Sequence, residues 1–329
     1  MPLIRFNDIY NGSDGTKQIT ARAGETLDVS NEKAEQLLND FPHLCTLGIP
    51  KSPHTQRAHL ASILMPVMEN YEYTAQAIAD IRKHTRQNYE IILIDNGSGA
   101  KTKAKLLKLL TDDDKFLSFP DNYGFPRAMN YGVGIATGEY IVLMNNDVRL
   151  PAKWLDKLLA PFSDYAVGVS SPIRTIVDKG VIRLLRPSGH PPTMADLPYV
   201  KGREAATVAK INKKQEEQGA GVFYTDDMVA FFCVALSRRA IDTVGYFDED
   251  FGLGLCEDNY FCRLLLNNGF KIAINTELFC LHLTSQTIRK IWPDDIGVAA
   301  IGENSKLLTK KLHSGVLNTH AALRPIGVV

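Results

Sequence analysis

The chain has 329 residues, enough for one large core or a main domain with a small accessory unit. Its 37 Lys and Arg balance 37 Asp and Glu, so net charge gives no argument for a nucleic-acid or anionic-membrane partner. Cys45, Cys233, Cys256, Cys262 and Cys280 are odd in number and form no CxxC pair, which argues against a disulfide framework or a zinc site. "MPLIRFNDIY" carries an acid and an amide where a signal peptide would carry an apolar core, and no apolar run approaches bilayer-spanning length. The expectation is a cytoplasmic protein with reduced thiols.

At the amino terminus, "LIRFNDIY" and "KQITARA" predict strands joined by the turn "NGSDGT", and "SNEKAEQLLNDF" predicts a helix with Ser30 as N-cap. Residues 1–50 are therefore expected to be a small α+β accessory unit, too short for much core of its own. Such a unit would dock on the main domain, a partner or another copy of the chain. A Pro- and basic-rich linker follows at 51–58.

From His59 strands and helices alternate. "LASILMPV", "YEIILIDNGS", "KFLSFP" and "EYIVLMNND" predict strands; "EYTAQAIADIRKHT", "AKTKAKLLKLLTD" and "PRAMNYGVGIAT" predict helices between them. This spacing predicts a doubly wound, mostly parallel sheet flanked by helices. Three strands then end in polar or turn residues on one edge, at Pro66 and Val67, at Asp95 to Ser98, and at Asn145 to Asp147. After "PAKWLDKLLAPF" and "AVGVSSP", regularity is expected to fail between about Ile173 and Gly221, with "TVAKINKKQEEQ" helical inside it. It returns with "MVAFFCVALSRRAIDTVG" and lasts to a terminal helical stretch near "GVAAIGENSKLLTKKLH".

Four constellations carry chemistry. Asp95 in "DNGS" can accept from a base imide or a ribose hydroxyl, while Gly97 allows close backbone approach. "DNYGFPRAMNYGVGIATGEY" surrounds a short helix whose amino terminus offers backbone N–H groups to an anion, with Arg127 adding charge. Glu257 and Asp258 open an apolar-periodic helix, where capping explains them as well as base catalysis does. Adjacent carboxylates in a cleft raise at least one pKa, which suits proton acceptance near neutrality. His282 in "CLHLTSQT" ends an apolar run beside hydroxyl residues and fits either a core histidine or a metal ligand. Arg289 and Lys290 follow as cations for a diphosphate or as a solvated turn.

Taken in order, "SILMPVMENYEYTAQAIADI", "IILIDNGS", "NYGFPRAMNYGVGIATGEYIVLMNND", "VALSRRAIDTVGYFDEDFGLGLCEDNYFCRL" and "LHLTSQT" resemble the family 2 glycosyltransferases, inverting enzymes of the GT-A fold, and most closely the rhamnosyltransferase-like branch. The resemblance covers most of residues 60–287. It implies that 59–290 is a GT-A domain, with 59–150 its nucleotide-sugar half, 151–290 its acceptor and catalytic half, and 291–329 a helical tail. It implies that Pro66, Val67, Asp95, Asn122, Gly124, Asn145 and Arg289 serve the donor. Asp147 and His282 would hold Mn²⁺ or Mg²⁺, Asp258 would be the base and Glu257 would orient the acceptor. The implied reaction moves a hexosyl or deoxyhexosyl group from a UDP-, dTDP- or GDP-linked sugar to a glycan, protein or nucleic-acid hydroxyl. Asn145 stands where the family usually has an acid, and that departure leaves room for a non-catalytic sugar-nucleotide-binding protein on the same scaffold. A sugar-phosphate nucleotidyltransferase fits less well, because "MPVMENYEY" lacks a Gly-rich phosphate loop.

Overall fold

The computed structural model describes residues 60–178, 181–185, 197–217, 221–283 and 294–313, together with the backbone of five short strands near the amino terminus. Those are Leu3–Phe6 (β1), Tyr10–Ser13 (β2), Gln18–Ala21 (β3), Thr26–Asp28 (β4) and Cys45–Gly48 (β5). β1 pairs antiparallel with β4 and β5, and β2 with β3. Among the described residues of 1–50 there are thus five strands where two were expected, because residues read as one strand divide between β1 and β2 and part of the predicted turn pairs. The predicted helix capped by Ser30, the linker and Arg289 fall outside the described residues.

The main sheet begins with Ala61–Val67 (β6), helix Tyr71–His84 (α1), Tyr89–Asn96 (β7), helix Ala100–Leu107 (α2) and Lys115–Phe119 (β8). Helix Phe125–Ile135 (α3), Tyr140–Met144 (β9) and the two-residue strand Val148–Arg149 (β10) follow. Next come helix Trp154–Leu159 (α4) and Val167–Pro172 (β11). The segment expected to be irregular contains Arg174–Asp178 (β12), Val181–Leu185 (β13), Leu197–Pro198 (β14) and helix Glu204–Glu217 (α5). β12, β13 and β14 form their own antiparallel sheet. Their shortness and Gly-Pro surroundings hid them, because antiparallel pairing of short strands leaves little periodicity. The chain continues through Val222–Thr225 (β15), Cys233–Ser237 (β16), helix Arg238–Val244 (α6), helix Glu257–Asn267 (α7), Lys271–Asn275 (β17), Leu281–His282 (β18) and helix Asp294–His313 (α8).

Eight strands form the large sheet in the order β15-β17-β11-β16-β9-β6-β7-β8. β8, β7, β6 and β9 run parallel, β16 runs antiparallel between β9 and β11, and β15 is an antiparallel edge, so the sheet is mixed as expected. Successive residues of each strand face opposite layers. Leu64, Ile92 and Ile94 pack with Met129 of α3, Ala240 of α6 and Phe261 of α7. Ile63, Met65, Ile91 and Leu93 pack with Ala77 and Ile81 of α1, Leu106 of α2 and Trp154 of α4. Both faces are covered, which is why the strands read as continuous apolar runs. Each of the fully buried Ile, Leu, Met and Phe side chains contributes roughly 1.5–3 kcal/mol.

Register positions the site. β6 pairs with β7 as far as Val67 opposite Asp95, but its pairing with β9 ends at Leu64 opposite Leu143. Pro66, with no N–H to donate, lies beyond that point. Asn145, Asn146 and Asp147 therefore leave the sheet beside an opened strand end, at the carboxyl edge where α/β sheets bind ligands.

Candidate active site

Two clusters form at this edge. In the first, β10 pairs antiparallel with β18, setting Val148 opposite His282. The Asp147 carbonyl accepts from Leu283 N–H at 3.1 Å. The His282 ring stacks on Phe232 with centroids 5.1 Å apart and planes at 5°. Its Nε2 lies 3.2 Å from Asp147 Oδ1 and 3.2 Å from Asn145 Nδ2. Amide oxygen and nitrogen can exchange places by a flip. Carboxylate, imidazole nitrogen and amide oxygen can thus converge on one point, a donor set that suits Mn²⁺ or Mg²⁺. Among the described residues no three His, Cys, Asp or Glu side chains gather to hold a metal, so the third group here is the neutral amide. Asn146, between the two, turns away and donates to Thr74 Oγ1 at 3.0 Å.

The second cluster is built on loops. Asp95 is fully buried; its Oδ1 accepts from Ser98 N–H at 2.9 Å and its Oδ2 from the Ser118 hydroxyl at 3.0 Å, with Lys103 Nζ 3.8 Å away. Asp95 therefore braces the turn after β7. Asn96, also buried, reaches instead to the loop before α3, donating to Asn122 Oδ1 at 2.9 Å and accepting from Tyr123 N–H at 2.9 Å. Asn122 Oδ1 also accepts from Gly124 N–H at 2.9 Å. Glu69, after β6, ties in the same turn, since its N–H donates to Ser98 Oγ at 2.8 Å and its Oε1 accepts from Gly99 N–H at 2.7 Å.

Gly124 sits at φ 83°, and a Cβ built there would lie 2.1 Å from the Gly252 carbonyl oxygen. Phe125 N–H donates to the Leu253 carbonyl at 3.1 Å. Backbone thus meets backbone, and the loop before α7 docks on the loop before α3 with no side chain between them. That docking carries Glu257 and Asp258, the first residues of α7, to the edge where Asn122 and Gly124 lie. Leu255 and Cys256 just before them both have positive φ, at 77° and 73°. Each such non-glycine conformation costs on the order of 1–3 kcal/mol and persists where surrounding contacts enforce it.

The acid pair divides its labour by burial. Glu257 is buried, and its Oε2 has no hydrogen-bond partner among the described residues. Burial, and next the neighbouring Asp258, push its pKa up to about 8. Asp258 is half-buried, with Oδ1 accepting from Asn259 N–H at 2.8 Å. The two clusters are linked through consecutive residues. Phe232 supports His282 and accepts from Asn145 N–H at 2.9 Å. Phe231 packs edge-on against Phe247 and Phe261, the latter on α7.

Pro66 is half-buried and Val67 buried at the end of β6. Arg127 does not stand free for an anion, because its guanidinium lies 4.8 Å from the Tyr123 ring centroid and its Nε 3.8 Å from Glu249 Oε2. Sequence reading missed Asn96, Glu69, Phe232 and Asn304. Asn96 was visible within "DNGS", but nothing local distinguishes it from the acid before it. The other three act across long sequence separations.

The large mixed α/β sheet flanked by helices is of the GT-A class of fold, which its structural neighbours share. GalNAc-T7, solved with UDP, GalNAc and Mn²⁺, matches 70% of this chain with a TM-score of 0.53 at 16% identity, over 44% of its own length. The mannosyltransferase PcManGT of Pyrobaculum calidifontis, solved with GDP-Man and Mn²⁺, matches 79% with a TM-score of 0.50 at 15% identity, over 65% of its length. At the level of sequence, the family model for glycosyl transferase family 2 matches residues 62–244, and the chain belongs to that family. The galactofuranosyl glycosyltransferase of Leishmania donovani is 29% identical over 289 residues, 79% of this chain and 62% of that protein. The chain thus spans less than two thirds of that relative. No helix among the described residues is long and apolar enough to cross a membrane.

Proposed function

We propose that the chain is an inverting glycosyltransferase that moves a hexosyl or deoxyhexosyl group from a UDP-, dTDP- or GDP-linked sugar to an acceptor hydroxyl. What supports this reading is that the Asn145–Asp147–His282 donor set and the docked loop bearing Glu257 and Asp258 both follow from elements at the carboxyl edge of one sheet and are tied through the adjacent Phe231 and Phe232. Pro66, Val67 and the turn braced by Asp95 line the nucleotide side, Asn122 and Gly124 border the sugar, and Arg289 adds a cation for the diphosphate. A divalent ion, Mn²⁺ or Mg²⁺, would be held by Asp147 and His282 with Asn145 beside them, and when bound supplies neutralisation of charge on the leaving diphosphate.

Asp258, the more exposed acid, takes the proton of the acceptor hydroxyl. The acceptor oxygen forms its bond to the anomeric carbon from the face opposite the diphosphate. The bond between that carbon and the diphosphate oxygen breaks, the nucleoside diphosphate leaves with the electron pair, and configuration inverts. Glu257 keeps its proton at neutral pH, so its uncharged carboxyl can donate to a sugar or acceptor oxygen without repelling Asp258. The same reading sets the chain in the cytoplasm, with five cysteines that form no CxxC pair in the sequence.

A panel of UDP-, dTDP- and GDP-sugars with and without Mn²⁺, read by released nucleoside diphosphate, tests the proposal. Release from one donor class supports it. Nucleotide binding with no turnover on any donor or acceptor would replace it with the non-catalytic binding protein.

A further inference from the structure

α8 lies beyond the segment that the family model matches. Its Asn304, Leu307, Leu308 and Lys311 recur at the spacing of one helix face, and all four are half-buried. Leu307 and Leu308 pack against the core cluster that contains Phe261 and Leu265 of α7. Lys311 Nζ pairs with Asp248 at 2.7 Å and Asp250 at 2.8 Å. Asn304 Nδ2 lies 3.0 Å from the Phe251 carbonyl, 2.7 Å from that of Gly254 and 3.0 Å from that of Leu255.

The Phe251 carbonyl already accepts from Gly254 N–H at 3.1 Å, so those of Gly254 and Leu255 are the two that need a donor. The ladder of α7 starts one residue later, where the Cys256 carbonyl accepts from Tyr260 N–H at 3.1 Å. The carbonyls of Gly254 and Leu255 precede that ladder, on backbone turned into the left-handed region at Leu255 and Cys256. A carboxamide presents two N–H donors on one planar nitrogen and can serve this bent group of carbonyls; a carboxylate of the same shape cannot.

We infer that Asn304 is a positioning residue for the acid pair. From α8 it holds the Phe251–Leu255 loop in the bent conformation that aims Glu257 and Asp258 at the sheet edge. The inference rests on the transferase reading for its catalytic consequence and on the hydrogen bonds alone for its structural one.

The test compares Asn304→Asp and Asn304→Gln in the full chain. Asn304→Asp removes the donors at constant size and sets an anion against carbonyls. Its amides at 252–258 should exchange at least tenfold faster than in the parent chain, and nucleoside-diphosphate release should fall roughly 10- to 100-fold, the effect of a misplacement near 1 Å. UDP and GDP affinity in Mn²⁺ should stay within about threefold, since Asn145, Asp147 and His282 are held by the β10–β18 pair and by Phe232. Asn304→Gln keeps the donors and should recover part of both the protection and the turnover. Parent-like protection and turnover in Asn304→Asp would overturn the inference. So would a Gln variant as impaired as the Asp variant, or nucleotide binding lost together with turnover as the whole chain melts early. If the parent chain turns over no donor, the transferase reading falls while the exchange comparison still decides whether Asn304 clamps the loop.

Discussion

His282 Nε2 stands 3.2 Å from Asp147 Oδ1, although 135 residues separate them in sequence. The contact exists because β18 pairs with β10 and Phe232 backs the ring. Asp147 is the only carboxylate of the triplet Asn145 to Asp147, so metal affinity there should depend on the imidazole. His282→Ala is expected to weaken Mn²⁺-dependent binding of UDP, GDP or dTDP by about 10- to 100-fold, measured by calorimetry, while metal-free binding stays unchanged. Unaltered metal dependence would show that the imidazole holds no ion.

Asp258→Asn keeps the size and the Asn259 contact of the proposed base but removes its proton affinity. Turnover should fall by roughly 10²- to 10⁴-fold with nucleotide affinity retained. A variant with normal turnover would exclude Asp258 as the base.

Glu257 sets a pH dependence of stability. Its folded-state pKa, pushed up to about 8 mainly by burial, lies above that of the unfolded chain. The folded state therefore binds the extra proton between the two values, and the stability it brings is complete below the unfolded pKa and lost as pH rises through about 8. The loss is on the order of a few kcal/mol. Glu257→Gln should flatten this slope, melting near the parent chain at pH 5 and above it at pH 9. Parallel melting curves across that range would place the charge cost elsewhere.

Gly124→Ala sets a methyl 2.1 Å from the Gly252 oxygen at a φ of 83°. Backbone must move, so a loss of about 2 kcal/mol or more is expected in denaturant titration, with turnover falling further than stability alone explains. Full activity in that variant would mean that the two loops need not touch.

The alternation of strands and helices was legible because both sheet faces are covered, which leaves runs such as "YIVLM" uninterrupted. Asn145, Asp147 and His282 were legible as polar ends of apolar strands, and the structure brings them together. The antiparallel sheet of β12, β13 and β14 was not, since short strands in a Pro-rich region carry little periodicity. The role of Asn96 was hidden by its neighbour: Asp95 looked like the ligand group, yet its two oxygens brace the turn while Asn96 joins the loop of Asn122. Asn304 left no local trace, because its partners lie about fifty residues away.

β16 enters the sheet between β9 and β11 and runs against both. Met144, Leu143, Val142 and Ile141 of β9 therefore find their second row of backbone partners in residues 233–236, far along the chain. A fragment ending near residue 150 would leave that apolar strand with a bare edge, the geometry that templates strand addition between copies. Fragments meant for expression, crystallisation or domain exchange should extend past β16, and chains released early during synthesis are expected to self-associate through β9.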